Sequence, residues 1–133
     1  MTREEFERRI DSGGFLEWTD FLGNYYGTPN PEPGPGQDTV LEIEVDGARQ
    51  VKALCPSAVL IFLLPPSREE QARRLRERGD PEGKVEQRIR KADEEEPVGR
   101  AMADHVVVND DLERASQELA GIVANELNGA SVP

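Results

Sequence analysis

At 133 residues the chain has the length of one ordinary domain, enough to bury a core and too little for two full ones. Its formal net charge of -11, with Arg and Lys scattered among acids, leaves no basic footprint for nucleic acid, and the single Cys55 can build neither a disulfide framework nor a zinc set. The charged start "MTREEFERRI" lacks the apolar run of a signal peptide, and the longest apolar run, "AVLIFLLPP", is too short to cross a bilayer, so a cytoplasmic protein without membrane contact is expected.

In chain order, Thr2 and Glu5 have the spacing of a capping box, and Phe6 and Ile10 lie one helical turn apart, which predicts a short helix that "DSGG" stops. "FLEWTDFLGNYYGTP" follows as an irregular or partly extended segment, and the prolines and glycines of "TPNPEPGPGQD" predict a loop. "TVLEIEV" alternates apolar and acidic residues at the period of a strand, and "DGARQVKALCP" reads as a brief helix. The continuous apolar run "AVLIFLL" predicts a strand buried on both faces, closed by Pro65 and Pro66.

"SREEQARRLRERG" has a capping-box start at Ser67 and Glu70 and a helix-ending Gly79. "PEGKVEQRIRKADEEE" predicts a second charged helix, interrupted at Pro97 and Gly99. "HVVVND" is a further apolar strand and "DLERASQELAGIVANEL" a closing amphipathic helix, with fraying at the end. Strands alternating with helices and no internal repeat predict an α/β fold with a parallel sheet.

Several residues carry chemistry, each with a plain structural alternative. Glu17 is a carboxylate acceptor for amide or amino groups, and Tyr25 and Tyr26 are phenolic donors, although rings beside a glycine more often pack than bind. Arg74, Arg78 and Arg88 are planar donors suited to phosphate oxygens, or else a solvated face paired with glutamates in neighbouring turns. Glu42 and Glu44, on the expected first strand, could serve a magnesium ion or a substrate base, or form the wet side of an edge strand. Asn109 ends the last strand, where a turn favours Asn anyway, and His105 is alone.

Together the segments "EEFERRI…FLEW…GNYYGT", "LEIEVDGARQV", "IFLLPPS", "RRLRERG", "QRIRKA" and "VVVNDDLERA", from Thr2 to about Val123, resemble guanylate kinase in its order and close to its spacing. The resemblance implies ATP-dependent transfer of a phosphoryl group to GMP, with magnesium accompanying ATP. It implies that Glu17 accepts from the guanine base, that Tyr26 and Thr28 help hold GMP with Tyr25 as support, and that Glu44 as a base-contacting acid and Glu42 as the strand-end acid join the GMP-binding set, each lengthened from the family's usual Asp. Arg74, Arg78 and Arg88 become the lid and phosphate-clamping arginines, and Asn109 lies on the adenine side. By the same resemblance one domain spans 1–133, with 1–38 on the GMP side, 39–66 core strands and helix, 67–104 lid-like helices, and 105–127 the last core strand and closing helix.

The sequence has no G-x-x-x-x-G-K-[ST] run, the loop that cradles phosphates in this family. The expectation is therefore an incomplete P-loop-kinase-like parallel sheet with flanking helices, lacking the central P-loop strand. Its neighbours would close together, take a strand from another copy or a partner chain, or stay poorly ordered. A late start is one reading, since the family often has Val at the position of Met1 and a valine codon can serve as a bacterial start. Phosphoryl transfer rests on positioning and charge, so little activity is expected of the chain alone. The alternatives are a non-catalytic module that binds GMP or a protein, and a decaying reading frame without function.

Overall fold

The computed structural model describes residues 1–31 and 38–130, with no account of the side chains of 128–130. Most of the "TPNPEPGPGQD" loop therefore lies outside the described residues. The chain divides into two compact units, Met1–Ala58 and Val59–Pro133, each with its own small sheet.

In the first unit, helix α1 (Arg3–Asp11) starts at the expected capping box, Thr2 accepting from the Glu5 amide and Glu5 accepting from the Thr2 amide. The stretch expected to be irregular or partly extended is extended throughout, as an antiparallel hairpin of β1 (Phe15–Phe21) and β2 (Asn24–Pro29). Its two connecting residues, Leu22 and Gly23, both have positive φ, 52° and 85°, as two-residue hairpin turns of this kind require, and Asp20 Oδ1 accepts from the Gly23 amide. Between Phe15 and Glu17 the register shifts, so that two steps on β1 oppose one on β2. Such a bulge re-aims a side chain. It turns Phe15 onto the face of Gly27, where its ring stacks on Phe6 of α1 with centroids 4.4 Å apart.

A departure concerns "TVLEIEV". The described residues 38–44 form no strand, and Val45 is already the first residue of α2 (Val45–Leu54), with Glu44 at its N-cap. Alternation makes a strand only where a neighbour can take its backbone hydrogen bonds, and among the described residues no strand pairs with this segment. The helix expected from "DGARQVKALCP" forms as α2.

The second unit holds the predicted parallel pair, β3 (Ile61–Leu64) beside β4 (His105–Val108), in the register Ile61↔His105 to Leu64↔Val108. Parallel neighbours need a long crossover, and α3 (Arg68–Glu77) and α4 (Glu82–Met102) supply it before α5 (Leu112–Ala130) follows β4. Ser67 caps α3 by accepting from the Glu70 amide, and Gly79, at φ 94°, follows its end. Leu64, Ala72, Val85, Val107 and Ala115 form the buried core. Leu63 is 53% exposed, so β3 is not the doubly buried strand that its apolar run predicts.

A further correction is at Pro97, which α4 passes without a break. Proline removes one helical hydrogen bond, yet Arg68 holds the preceding turn against α3. Its guanidinium donates to the Ala92 carbonyl at 3.1 Å, to Asp93 at 2.7 Å and to Glu96 at 2.7 Å.

Candidate functional site

Hairpin alternation divides the residues of β1 and β2 between two faces. On one, Tyr25 meets α1 with Trp18 beside it: the Tyr25 ring lies 5.1 Å from Phe6 and 5.8 Å from Trp18, under the Arg3 guanidinium at 4.0 Å. The Tyr25 hydroxyl donates to Glu7. Tyr25 is therefore a packing residue, the plainer of its two readings.

The other face carries Glu17, Thr19, Tyr26 and Thr28, with Glu17 opposite Thr28 and Thr19 opposite Tyr26. Glu17 is only 5% exposed, and its Oε1 accepts from the Thr28 hydroxyl at 2.5 Å. Its Oε2 lies against Gly47 of α2, where a Cβ would come within 2.4 Å. Tyr26 stays 47% exposed, its ring edge-on to Phe21. A buried carboxylate between a hydroxyl and a bare helix backbone keeps unused acceptor sites for N–H donors, beside a phenol that a ligand can reach.

Three of the expected binding residues, Glu17, Tyr26 and Thr28, thus share one face. The two strand acids do not join them as strand residues. Glu42 is exposed on the irregular segment, and Glu44 is a half-buried N-cap residue with no side-chain capping bond.

Sequence reasoning missed the support behind Glu17. Gln50 of α2 accepts from the Trp18 amide at 3.2 Å and donates to the Trp18 carbonyl at 2.6 Å and to Asp46 Oδ2 at 2.9 Å. Asp46 also pairs with Arg49. The Arg49 guanidinium, ahead of the opposing effect of burial, holds the Asp46 carboxyl below its ordinary 3.8. A depressed carboxylate contributes stability that is present above its unfolded value and is lost as pH falls through the folded one. The Asp46 contribution to the α2–β1 tie should thus be constant at neutral pH and disappear only below 3.8. Acid unfolding followed for wild type and Asp46→Asn should converge in that range. Curves that stay parallel through it would remove Asp46 from the tie.

In the second unit, Arg74, Arg78 and Asn109 line one cleft of about 290 Å³ with Leu63, Leu64, Pro65, Gln71 and Leu75. Arg74 donates to Glu70 at 3.2 Å and to the Asn109 carbonyl at 3.1 Å. Glu70 is shared with Arg73, whose hydrogen bond is the main cause of its pKa falling to about 2. Arg78 pairs with Asp80 at 2.5 Å, and Arg88 stands 3.9 Å from the same carboxylate. The three arginines are thus each held beside an acid, Arg74 on Glu70 and Arg78 and Arg88 on Asp80. Among the described residues no group of three or more His, Cys, Asp or Glu side chains is placed to hold a metal ion. No described helix is long and apolar enough to cross a membrane.

A family model described as Guanylate kinase matches residues 1–126. The chain is 47% identical over 127 residues to a guanylate kinase of Synechococcus sp. (strain JA-3-3Ab), covering 92% of this chain and 58% of that one. To a guanylate kinase of Clostridioides difficile (strain 630) it is 39% identical over 136 residues, covering 98% and 66%. The crystal structure of guanylate kinase from Anaplasma phagocytophilum matches with a TM-score of 0.76 at 30% identity, over 95% of this chain and 63% of that chain. The chain spans 58% of the length of the first of these relatives. Its fold and its sequence agree: the chain belongs to the guanylate kinase family.

Proposed function

We propose that this chain takes part in the ATP-dependent phosphorylation of GMP to GDP in the cytoplasm, as the part that reads the guanine base. The observation that carries this reading is the buried Glu17 carboxylate, bonded to Thr28 with Tyr26 on the same hairpin face. The guanine edge presents N1–H and a 2-amino group, two donors for one carboxylate, whereas adenine has no donor at N1 and no 2-amino group. Thr28 and Tyr26 add hydroxyls for the base and the phosphate. Arg74, Arg78 and Arg88 supply planar cations for phosphate oxygens, with Asn109 on the adenine side, and ATP brings its own magnesium. Glu42 and Glu44 are the secondary acids of the base region.

A ligand held only by the folded state stabilises it, by about 2.7 kcal/mol at a hundred times Kd. GMP should raise the melting temperature and AMP should not. Equal shifts, or none, would remove the GMP reading. Tyr26→Phe deletes one hydroxyl and should weaken GMP by about 0.5–1.5 kcal/mol, the usual net worth of one hydrogen bond, as read by titration. An unchanged Kd would take Tyr26 out of the site.

A further inference from the structure

Gly47 sits inside α2 and is buried there, although glycine is a poor helix residue. Its backbone does not require glycine, since the residues with positive φ lie elsewhere. The requirement is space. A Cβ at Gly47 would lie 2.4 Å from Glu17 Oε2 and 2.9 Å from its Cδ, whereas Gly121, also helical, has nothing within 4 Å. One turn further along α2, Gln50 engages both its amide oxygen and its amide nitrogen. It accepts from the Trp18 amide, donates to the Trp18 carbonyl and is oriented by Asp46. Trp18 is the neighbour of Glu17, and the opposite edge of β1 is taken by β2. Gln50 thus acts as a one-residue strand that holds the backbone beside Glu17, while Gly47 leaves the hollow that its carboxylate fills.

We propose that Gly47 and Gln50 of α2 are positioning residues for the Glu17 carboxylate, and that through it they set the discrimination of a 2-amino purine nucleotide from its 2-deamino analogue. This rests on the reading of Glu17 as the base-binding group. The physical step is simple. The atom nearest a new Cβ is the far end of a flexible side chain, so the carboxylate gives way and the helix does not. Alanine at this position favours the helix and displaces the reader.

The test is titration of the full chain with GMP and with IMP, which lacks the 2-amino group, alongside thermal unfolding. Wild type should prefer GMP by about tenfold or more, the worth of one hydrogen bond to a charged group. Gly47→Ala should melt at or above the wild-type temperature and lose about tenfold or more of its GMP affinity, with IMP affected less, so that the ratio moves toward one. Gln50→Met, which keeps the length and removes the carboxamide, should lower the same ratio, and it carries the test if Gly47→Ala does not fold. Variants that fold and keep the wild-type ratio would overturn the proposal. Failure of wild type to bind GMP would overturn the nucleotide reading instead. In that event a crystal structure of Gly47→Ala judges the positioning by itself: a displaced Glu17 carboxylate supports it, and one left against α2 overturns it.

Discussion

Glu17→Gln is expected to weaken GMP binding by about 3 kcal/mol, on the order of a hundredfold in Kd, because hydrogen bonds to a charged group contribute about 1.5–3 kcal/mol each. The side chains have the same length, so size is not the cause. A carboxylate offers acceptors only, and the guanine edge offers two donors. An amide offers one acceptor and one NH2 group, so one attraction becomes a donor facing a donor. Thr28, which donates to Oε1 at 2.5 Å, can keep its bond to the amide oxygen. The fold should therefore be no less stable, since a buried neutral amide is less costly to desolvate than a buried carboxylate. Titration with GMP and thermal unfolding of the same variant separate the two effects. Wild-type affinity in Glu17→Gln would mean that the carboxylate does not meet the base, and the proposed reading would fall with it.

What could be read from the sequence was mostly local. Capping at Thr2 with Glu5, and at Ser67 with Glu70, depends on residues three apart; the first forms the full capping box, and at the second Ser67 accepts from the Glu70 amide while the Glu70 carboxylate turns to Arg73 and Arg74. The parallel pair of β3 and β4 was legible because apolar runs between charged helices leave few other arrangements. The hairpin was hidden because the face of β1 that packs on α2 carries Glu17 and Thr19, which are buried and polar, so its pattern does not read as apolar alternation. The bulge before Glu17 further breaks the period. "TVLEIEV" failed in the opposite way, since its period is that of a strand and its partner is not a property of those seven residues. Pro97 shows the same dependence on distance, as Arg68, far away in sequence, holds the turn that precedes it. Glu17, Tyr26 and Thr28 could be named from the resemblance, but Gly47 and Gln50 could not. Their roles exist only once α2 lies against β1.

The same logic predicts the largest change in stability at Gly99 in the second unit. A Cβ there would lie 2.3 Å from Phe62 Cε2, 2.6 Å from Cδ2 and 2.7 Å from Cζ, so α4 passes the ring of β3 at a distance that only glycine allows. Here the obstacle is one edge of a rigid ring, in contrast to the carboxylate tip that faces Gly47. Gly99→Val should cost about 3 kcal/mol, the upper end of the usual 1–3 kcal/mol for forcing methyl groups into a packed site. Gly121→Ala on α5, with open space around it, should instead gain about 0.5–1 kcal/mol from helix propensity. Urea unfolding of the two variants should therefore move the midpoint in opposite directions. If contact with Phe62 is the cause, adding Phe62→Leu to Gly99→Val should recover part of the loss, as residues in contact couple by about 0.5–3 kcal/mol. Strict additivity of the two substitutions would mean that the helix and the ring are not pressed together, and that the cost at Gly99 arises in the α4 backbone alone.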